Sequence, residues 1–341
     1  MTKDLIEVAD VDFKNVNVWS ILAVLAMMLF GWGSYGSMFI SYRSNLINVL
    51  RTASMMGIMG IGVNLCFLIG ARDLSVAANA AMASMFVAMT SKYGFVPSIL
   101  VGMLAGTLMG VFNGFVIAKF KVQPFIATLG TQLAGRGIAL LLNNELSITI
   151  DQNATVLKTI GNGNIGGLLP YSAAIFLALI LIFSVILKYT PFGRAIYAIG
   201  GNEESAEMMG IRVERIKIIV FALSGLMAGI CGTVLCGHIN AGQPTACEGW
   251  EMTIMATIVI GGTKVKGGAG KIHGLFFGVI FVQLITNLIN LNGHLSVYWK
   301  DITTGMILLI AVLLQVYSDY RKEQLKNRRL ISNKGKNIQA A

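Results

Sequence analysis

The sequence is poor in charged residues. Lys, Arg, Asp and Glu make up 12% of its 341 residues, about half the share that is usual in soluble domains. Hydrophobic residues account for 55%, and the mean hydropathy is +0.72. One soluble core of this size cannot bury so much apolar surface. The composition therefore excludes an ordinary soluble protein and predicts one that crosses a membrane several times.

Residues that form disulfides or bind metals are also scarce. There are four cysteines and three histidines; three of the cysteines lie in apolar runs, no two form a CxxC pair, and the histidines are far apart. We predict no disulfide framework and no zinc site. The nearest approach to a phosphate-binding loop, GGAGKI ending at Ile272, lacks a correctly spaced first glycine and the following hydroxyl residue. The chain is therefore not expected to hydrolyse ATP by that route, and we find no catalytic cluster for a membrane-embedded enzyme.

Apolar windows predict an all-α, polytopic membrane bundle of about ten helices, some short or broken. The windows are 18–40, 52–70, 75–91, 96–118, 125–142, 171–187, 217–237, 252–263, 273–291 and 301–318. The eighth is too short to cross fully, so it is either a half-helix or part of a broken element. We divide the chain into an N-terminal segment 1–17, a transmembrane domain 18–318 and a basic tail 319–341.

The distribution of basic residues predicts the orientation. With the N-terminus inside and the spans alternating, 20 Lys and Arg fall on the inner side, five on the outer side, and Arg136 within a span. Cytoplasmic loops carry an excess of Lys and Arg, so both termini are expected in the cytoplasm of a bacterial cell. The net charge of +10 is thereby explained without nucleic acid. The tail is expected to lie next to anionic lipid.

Glycines recur at four-residue spacing in three places. Gly102, Gly106, Gly110 and Gly114 share one helix face, as do Gly225 with Gly229, and Gly270 with Gly274 and Gly278. Such faces let membrane helices approach closely. They either pack helices together within one subunit, which we favour, or form an interface between two subunits.

Two polar segments interrupt the apolar pattern. The outer segment 143–170 is Asn- and Gly-rich and is either an ordinary long loop or a surface for an external partner, with room for a short strand or helix. The inner segment 190–216 is predicted to contain a short helix, with Glu203, Glu204 and Glu207 in its first turns and Gly210 at its end. It is either a solvated connector or a docking surface.

Ionisable and amide residues near or within the spans are candidates for function. Asp73 lies beside Arg72 at a span boundary, where it forms a local ion pair, caps a helix or lines a pathway. Arg136 either snorkels to the outer surface or faces a water-filled cavity. Asn113 and Gln283 are expected to hydrogen-bond between helices. There is no chain of buried acids such as a proton-coupled transporter needs.

Four motifs in this order resemble the permeases of bacterial ABC importers for simple sugars, the ribose, galactose and xylose group. They are IGARDLSV (69–76), GVFNGFVIAKFKVQPFIATLGTQLAGRGIAL (110–140), PFGRAIYAIGGNEESAEMMGIRVERIKIIVFALSGLMAG (191–229) and IVIGGTKVKGGAGKIHG (258–274). The sequence departs from the family pattern at Ala77, where the family usually has Gly, and at Thr253, where it usually has Asp. These departures leave the particular sugar open.

The resemblance implies a fold similar to the vitamin B12 and siderophore importers. It also implies a second permease subunit, forming a homodimer, a cytoplasmic ATPase that binds ATP and Mg²⁺, and an external substrate-binding protein; no cofactor is expected in this chain. The segment that couples to the ATPase would contain Gly201, Asn202, Glu203, Glu204, Ala206, Met208, Met209 and Gly210. The candidate pathway residues are Asp73, Asn113, Arg136, Glu251 and Thr253. An importer of a non-sugar ligand, such as a nucleoside or an autoinducer, and an ion-coupled secondary transporter remain as alternatives.

Overall fold

The computed structural model describes residues 16–41, 45–296 and 298–339. The side chains of 16–19, 318–319 and 322–339 are excluded from that description. Among the described residues, six helices are long and apolar enough to cross a membrane, and two shorter apolar helices accompany them. Most of the predicted N-terminal segment, and Arg43 in the orientation argument, lie outside the described residues.

Fourteen α-helices and four two-residue strands follow one another along the described chain. The helices are α1 Val16–Tyr35, α2 Ser37–Ile40, α3 Ile47–Leu68, α4 Val76–Thr90, α5 Phe95–Lys119, α6 Pro124–Leu141, α7 Thr155–Asn162, α8 Tyr171–Tyr189, α9 Pro191–Gly201, α10 Glu203–Met208, α11 Val213–Ile239, α12 Trp250–Ile260, α13 Ile272–Asn292 and α14 Trp299–Gln339. The strands are β1 Ile148–Thr149, β2 Asn164–Ile165, β3 Leu169–Pro170 and β4 Ala241–Gly242. All ten apolar windows fall on helices, which confirms the all-α membrane bundle.

Three windows differ in detail from the helices that they predict. The first is broken into α1 and α2 at Gly36, whose φ of +54° is favourable for glycine. The eighth is α12, whose 11 residues span about 16 Å, roughly half of the hydrocarbon thickness. The last, α14, continues to Gln339, so the segment separated as a tail is largely a helical extension of the final span.

The centre of the bundle is formed by α3 and α11, the most buried of the span-length helices. Along α5, the glycine face packs directly on α11. A Cβ added to Gly106 would lie 2.8 Å from the amide nitrogen of Gly229 and closer still to the carbonyl oxygen of Gly225. Backbone meets backbone along this seam, so the structure confirms that this glycine face packs helices within one subunit.

The loops gather at two opposite ends of the bundle. At the end predicted to face outward, β1 pairs antiparallel with β4. There α7 lies on the end of α11, where Asn162 donates from Nδ2 to the Gly237 carbonyl at 2.9 Å. Arg51, only 7% exposed, donates to the Asn162 carbonyl at 2.9 Å. The outer segment 143–170 therefore holds short strands and a helix, as the sequence allowed.

Candidate functional site

Three of the sequence motifs meet around α9, at the end of the bundle that the charge distribution predicts to be cytoplasmic. The Gly268 amide donates to the Leu68 carbonyl at 2.9 Å, and the Tyr197 hydroxyl donates to the Gly270 carbonyl at 2.9 Å. Gly200 lies against both Leu68 and Gly268, with no room for a Cβ. Burial raises the pKa of Tyr197, so it remains a protonated donor at neutral pH. The turn after α3, the end of α9 and the loop 261–271 are therefore packed as one unit.

Glycine is required in the loop of this unit as well as in the helix. Gly267 has a φ of +88°, and a Cβ there would lie 2.6 Å from the Gly70 amide nitrogen. Gly70 itself has a φ of +76°. Because both residues combine left-handed backbone with close backbone contact, larger side chains would force the loop and the α3–α4 turn apart.

The short helix α10 is held firmly at both ends. Asn202 caps its start by accepting from the Ser205 amide at 2.7 Å. At its end Gly210 has a φ of +82°, and the Ile211 amide donates back to the Ala206 carbonyl at 3.1 Å, a Schellman-type termination. The sequence prediction of a short helix ended by Gly210 is confirmed.

The exposed face of α10 presents apolar and acidic side chains. Met208, the last residue of α10, is 78% exposed, and Met209, which follows it, is 71% exposed. Both are large apolar side chains within the polar segment 190–216, outside the spans. Ala206 is fully buried, so it anchors α10 and cannot touch a partner while α10 keeps this position. The remaining residues predicted for coupling are exposed: Gly201, Asn202, Glu203, Glu204 and Gly210. Glu203 accepts from Lys217 Nζ at 2.6 Å, which joins α10 to α11.

A second candidate region lies where α12 begins. The segment before it is held by Arg136, whose Nη1 donates to the carbonyls of Pro244 and Ala246 at 2.6 and 2.8 Å. The sequence analysis predicted that Arg136 either snorkels to the outer surface or faces a water-filled cavity. Neither prediction describes the observed hydrogen bonds to two backbone carbonyl oxygens. The segment ends at Gly249, which has a φ of +78° and precedes α12.

Glu251 lies in the first turn of α12 and faces α6. Its Oε1 accepts from Gln132 Nε2 at 2.9 Å, while its Oε2 is buried without a hydrogen-bond partner among the described residues. Gln132 is near the middle of α6, so α12 starts deep in the bundle and runs only to the end that is predicted to be cytoplasmic. Discontinuous helices that start near the bilayer centre commonly mark substrate sites in transporters. Gln132 was missed by the sequence analysis, although an amide within an apolar span could have been noticed.

A polar cavity of about 250 Å³ lies on another side of α12, among α3, α13 and α14. Hydroxyl, amide and charged side chains and one indole dominate its lining. It is lined by Thr52, Met56, Glu248, Gly249, Trp250, Thr253, Gln283, Thr286, Asn290, Lys300, Asp301 and Thr304. Thr253 therefore faces open space, whereas Gln283 both lines this cavity and donates to the Met56 sulfur at 3.6 Å.

Asp73 and Asn113 lie apart from this region, in a closed network between helices. Asp73 accepts from the Ser75 amide and hydroxyl at 2.9 and 2.6 Å, and from the Ser224 hydroxyl at 2.6 Å. Asn113 donates to the Ser75 hydroxyl at 2.9 Å and accepts from Thr131 at 2.7 Å. Both side chains are at most 2% exposed. Asp73 forms no ion pair with Arg72 among the described residues. It does not cap α4 directly, since the N-cap is Ser75 without a side-chain cap bond, and it holds the amide and hydroxyl of that residue instead. Asn113 lies between helices, as expected.

Comparisons with known proteins agree with the resemblance. Residues 45–312 match the family described as "Branched-chain amino acid transport system / permease component". The ribose import permease protein RbsC of Bacillus subtilis is 37% identical over 272 residues, which cover 79% of this chain and 84% of the relative. The L-arabinose transport system permease protein AraH of Escherichia coli is 34% identical over 317 residues, 91% and 94% of the two chains. No solved structure matches the chain.

Proposed function

Since this chain belongs to the simple-sugar group of bacterial ABC importer permeases, we propose that it carries a monosaccharide or a small polyol across the inner membrane. It is a multi-pass transport subunit of such an importer, which also includes an ATPase and a substrate-binding protein. Within that role, the substrate, the coupling surface and the orientation of the termini in the cytoplasm are our proposals.

The observation that carries the coupling proposal is the exposed face of α10. Met208 and Met209 expose large apolar side chains beside Glu203 and Glu204, outside the membrane spans. Exposed apolar surface rimmed by polar groups is typical of a protein-binding site. We assign this face to the ATPase, which binds ATP and Mg²⁺. Closure of two ATPase subunits would move α10, and with it the packed unit around Gly200, to drive alternating access in a dimer of permease subunits.

The coupling proposal can be tested by replacing the methionine pair. Fully burying one such side chain is worth about 1.5–3 kcal/mol, so Met208→Ser with Met209→Ser should weaken the permease–ATPase complex at least tenfold. Co-purification of the ATPase and ATP-driven uptake in proteoliposomes would measure this. Val156→Ser, at an exposed apolar position on α7, is the matched control at the opposite end of the bundle. Unchanged assembly and uptake in the double variant would contradict the assignment.

The proposed substrate path passes the start of α12. The cavity that contains Thr253 offers hydroxyl and amide groups together with the indole of Trp250. A sugar site needs polar groups and an aromatic surface, because sugar hydroxyls donate and accept hydrogen bonds and sugar ring faces pack on aromatic rings. On the other side of α12, Glu251 holds a buried oxygen without a partner, which a sugar hydroxyl would satisfy when the helices move.

Uptake measurements with a panel of sugars would test this path. In proteoliposomes that contain the ATPase and the binding protein, Glu251→Gln and Thr253→Val should each lower the maximal uptake of the transported sugar. Glu145→Gln, at an exposed position in the outer segment, is the control for charge. Ribose and L-arabinose come first in the panel, because they are the sugars named for the relatives. Gradient-driven uptake by this chain alone would favour a secondary transporter, and selective uptake of a nucleoside would favour a non-sugar importer.

A further inference from the structure

A basic cavity of about 770 Å³ lies where α8, α9 and the start of α13 meet. Part of its wall is apolar and is formed by the buried side chains of Leu187 and Ile272. Three exposed cations, Lys188, Arg194 and Lys271, also line it. No carboxylate belongs to the lining among the residues that the structure describes. The cavity therefore combines a concentrated positive charge with an apolar wall.

These cations have no acidic partners within the described part of the chain. The two ion pairs found there join other residues, Lys119 with Glu214 and Lys217 with Glu203. Lys188 instead places its Nζ 5.0 Å from the ring centre of its neighbour Tyr189. Three like charges around one cavity repel each other unless an anion binds between them, so an anionic ligand is favoured.

The surface next to the cavity is apolar and exposed along α8. Leu177, Leu181, Ser184 and Lys188 follow one another at helical spacing, which places them on one face of α8. Leu177 is 43% and Leu181 67% exposed. Tyr189, 65% exposed, stands at the end of this helix, where aromatic residues mark the membrane–water interface. An apolar strip thus leads from the cations into the hydrocarbon region.

The first turn of α13 adds to the positive potential. Lys271 precedes this 21-residue helix, whose start has no side-chain cap. Its first residues line the cavity, and unsatisfied amides at a helix start favour negative charge nearby. A ligand matched to this place has a phosphate-like anion at one end and apolar chains at the other.

We propose that the cavity binds the headgroup of an anionic phospholipid, whose acyl chains lie along Leu181 and Leu177 of α8. The phosphate is held by Lys188, Arg194 and Lys271, and the glycerol region lies against Leu187 and Ile272. This site is separate from the exposed face of α10 and from the cavity beside α12. It does not depend on which substrate the protein carries.

Native mass spectrometry of the full chain tests the proposal. The protein is reconstituted in phosphatidylcholine nanodiscs with graded phosphatidylglycerol, released into detergent, and examined for retained lipid. Each cation near a membrane surface contributes about fivefold to anionic-lipid affinity. The triple variant Lys188→Gln, Arg194→Gln, Lys271→Gln should therefore bind phosphatidylglycerol on the order of a hundredfold more weakly. The control variant Lys92→Gln, Lys121→Gln, Lys158→Gln removes the same charge at positions that line neither this cavity nor the cavity beside α12 and should retain wild-type binding.

Three results would overturn the assignment. The first is equal retention of phosphatidylglycerol and phosphatidylcholine by the wild-type protein, and the second is unchanged retention of phosphatidylglycerol by the Lys188, Arg194 and Lys271 variant. The third is displacement of the lipid by inorganic phosphate at comparable concentration, which would identify a soluble-anion site. Thermal unfolding of both triple variants in zwitterionic lipid, where no anionic lipid contributes, should give equal midpoints and shows that each is folded.

Discussion

Adjacent glycines at the end of α9 allow a sharp test of the packed unit that joins α9 to the α3–α4 turn and the loop 261–271. A Cβ at Gly200 would lie 2.9 Å from the carbonyl carbon of Leu68, and closer still to its oxygen and to the Gly268 amide. A Cβ at Gly201 would meet nothing within 4 Å. Both residues belong to the same helix and neither has a positive φ. Gly200→Ala and Gly201→Ala therefore differ only in what the added methyl group contacts.

The size of the effect follows from these distances. Carbon atoms in contact lie about 3.5 Å apart, so α9 and Leu68 must separate by at least about 0.6 Å, and by more to clear the oxygen. Overpacking costs about 1–3 kcal/mol. Because the obstructing atoms belong to the backbone, we expect overpacking to lower the free energy of unfolding by about 3 kcal/mol. The better helix propensity of alanine offsets about 1 kcal/mol of this loss. The net loss for Gly200→Ala is about 2 kcal/mol, whereas Gly201→Ala should be neutral or slightly stabilising.

Two measurements on the assembled importer separate the variants. Gly200→Ala should lower the thermal midpoint of the permease in detergent by several degrees, and it should lower sugar uptake per ATP hydrolysed because α9 no longer follows the loop 261–271. Gly201→Ala should keep the wild-type thermal midpoint of the permease. Equal thermal midpoints of the two alanine variants would refute the view that this contact is tightly packed, and wild-type uptake by Gly200→Ala would refute the view that it transmits motion.

Substitutions at Arg136, Asp73 and Gly106 probe the rest of the bundle. Arg136→Met should destabilise the permease by about 1.5–3 kcal/mol, the usual worth of hydrogen bonds to a charged group, with partial rescue in Arg136→Lys; thermal unfolding in detergent measures both. Asp73→Ala leaves three buried donors unpaired and should lower the thermal midpoint more than Asp73→Asn, which keeps one acceptor oxygen. An equal loss would contradict the role of Asp73 as a hydrogen-bond acceptor. Gly106→Val should prevent stable folding because it opens the α5–α11 seam, whereas Gly130→Val, on an open face of α6, should leave a monodisperse peak in size-exclusion chromatography.

Much of the fold could be predicted because its strongest signals are local. Each apolar window falls on a helix, and the half-length eighth window was recognised as too short to cross, since helix length depends directly on residue count. The glycine face of α5 was visible because residues four apart share a helix face. The end of α10 at Gly210 was visible because a left-handed terminal residue is usually glycine.

The candidate site was predicted less completely, since it depends on contacts between residues far apart in sequence. The sequence placed Asp73, Asn113, Arg136, Glu251 and Thr253 in one pathway set. The structure separates them, with Asp73 and Asn113 in a closed hydrogen-bonded network and the other three around the start of α12.

By itself, the sequence determined that this protein is an α-helical membrane permease, because hydropathy, charge bias and motif order are properties of the linear chain. Only the tertiary structure decided that Ala206 is buried while Met208 is exposed, that Gly200 packs on Leu68, and that Lys188, Arg194 and Lys271 surround one cavity. The physical reason is that burial and charge clustering depend on which helices pack together, and that choice is made by side-chain contacts across the whole bundle.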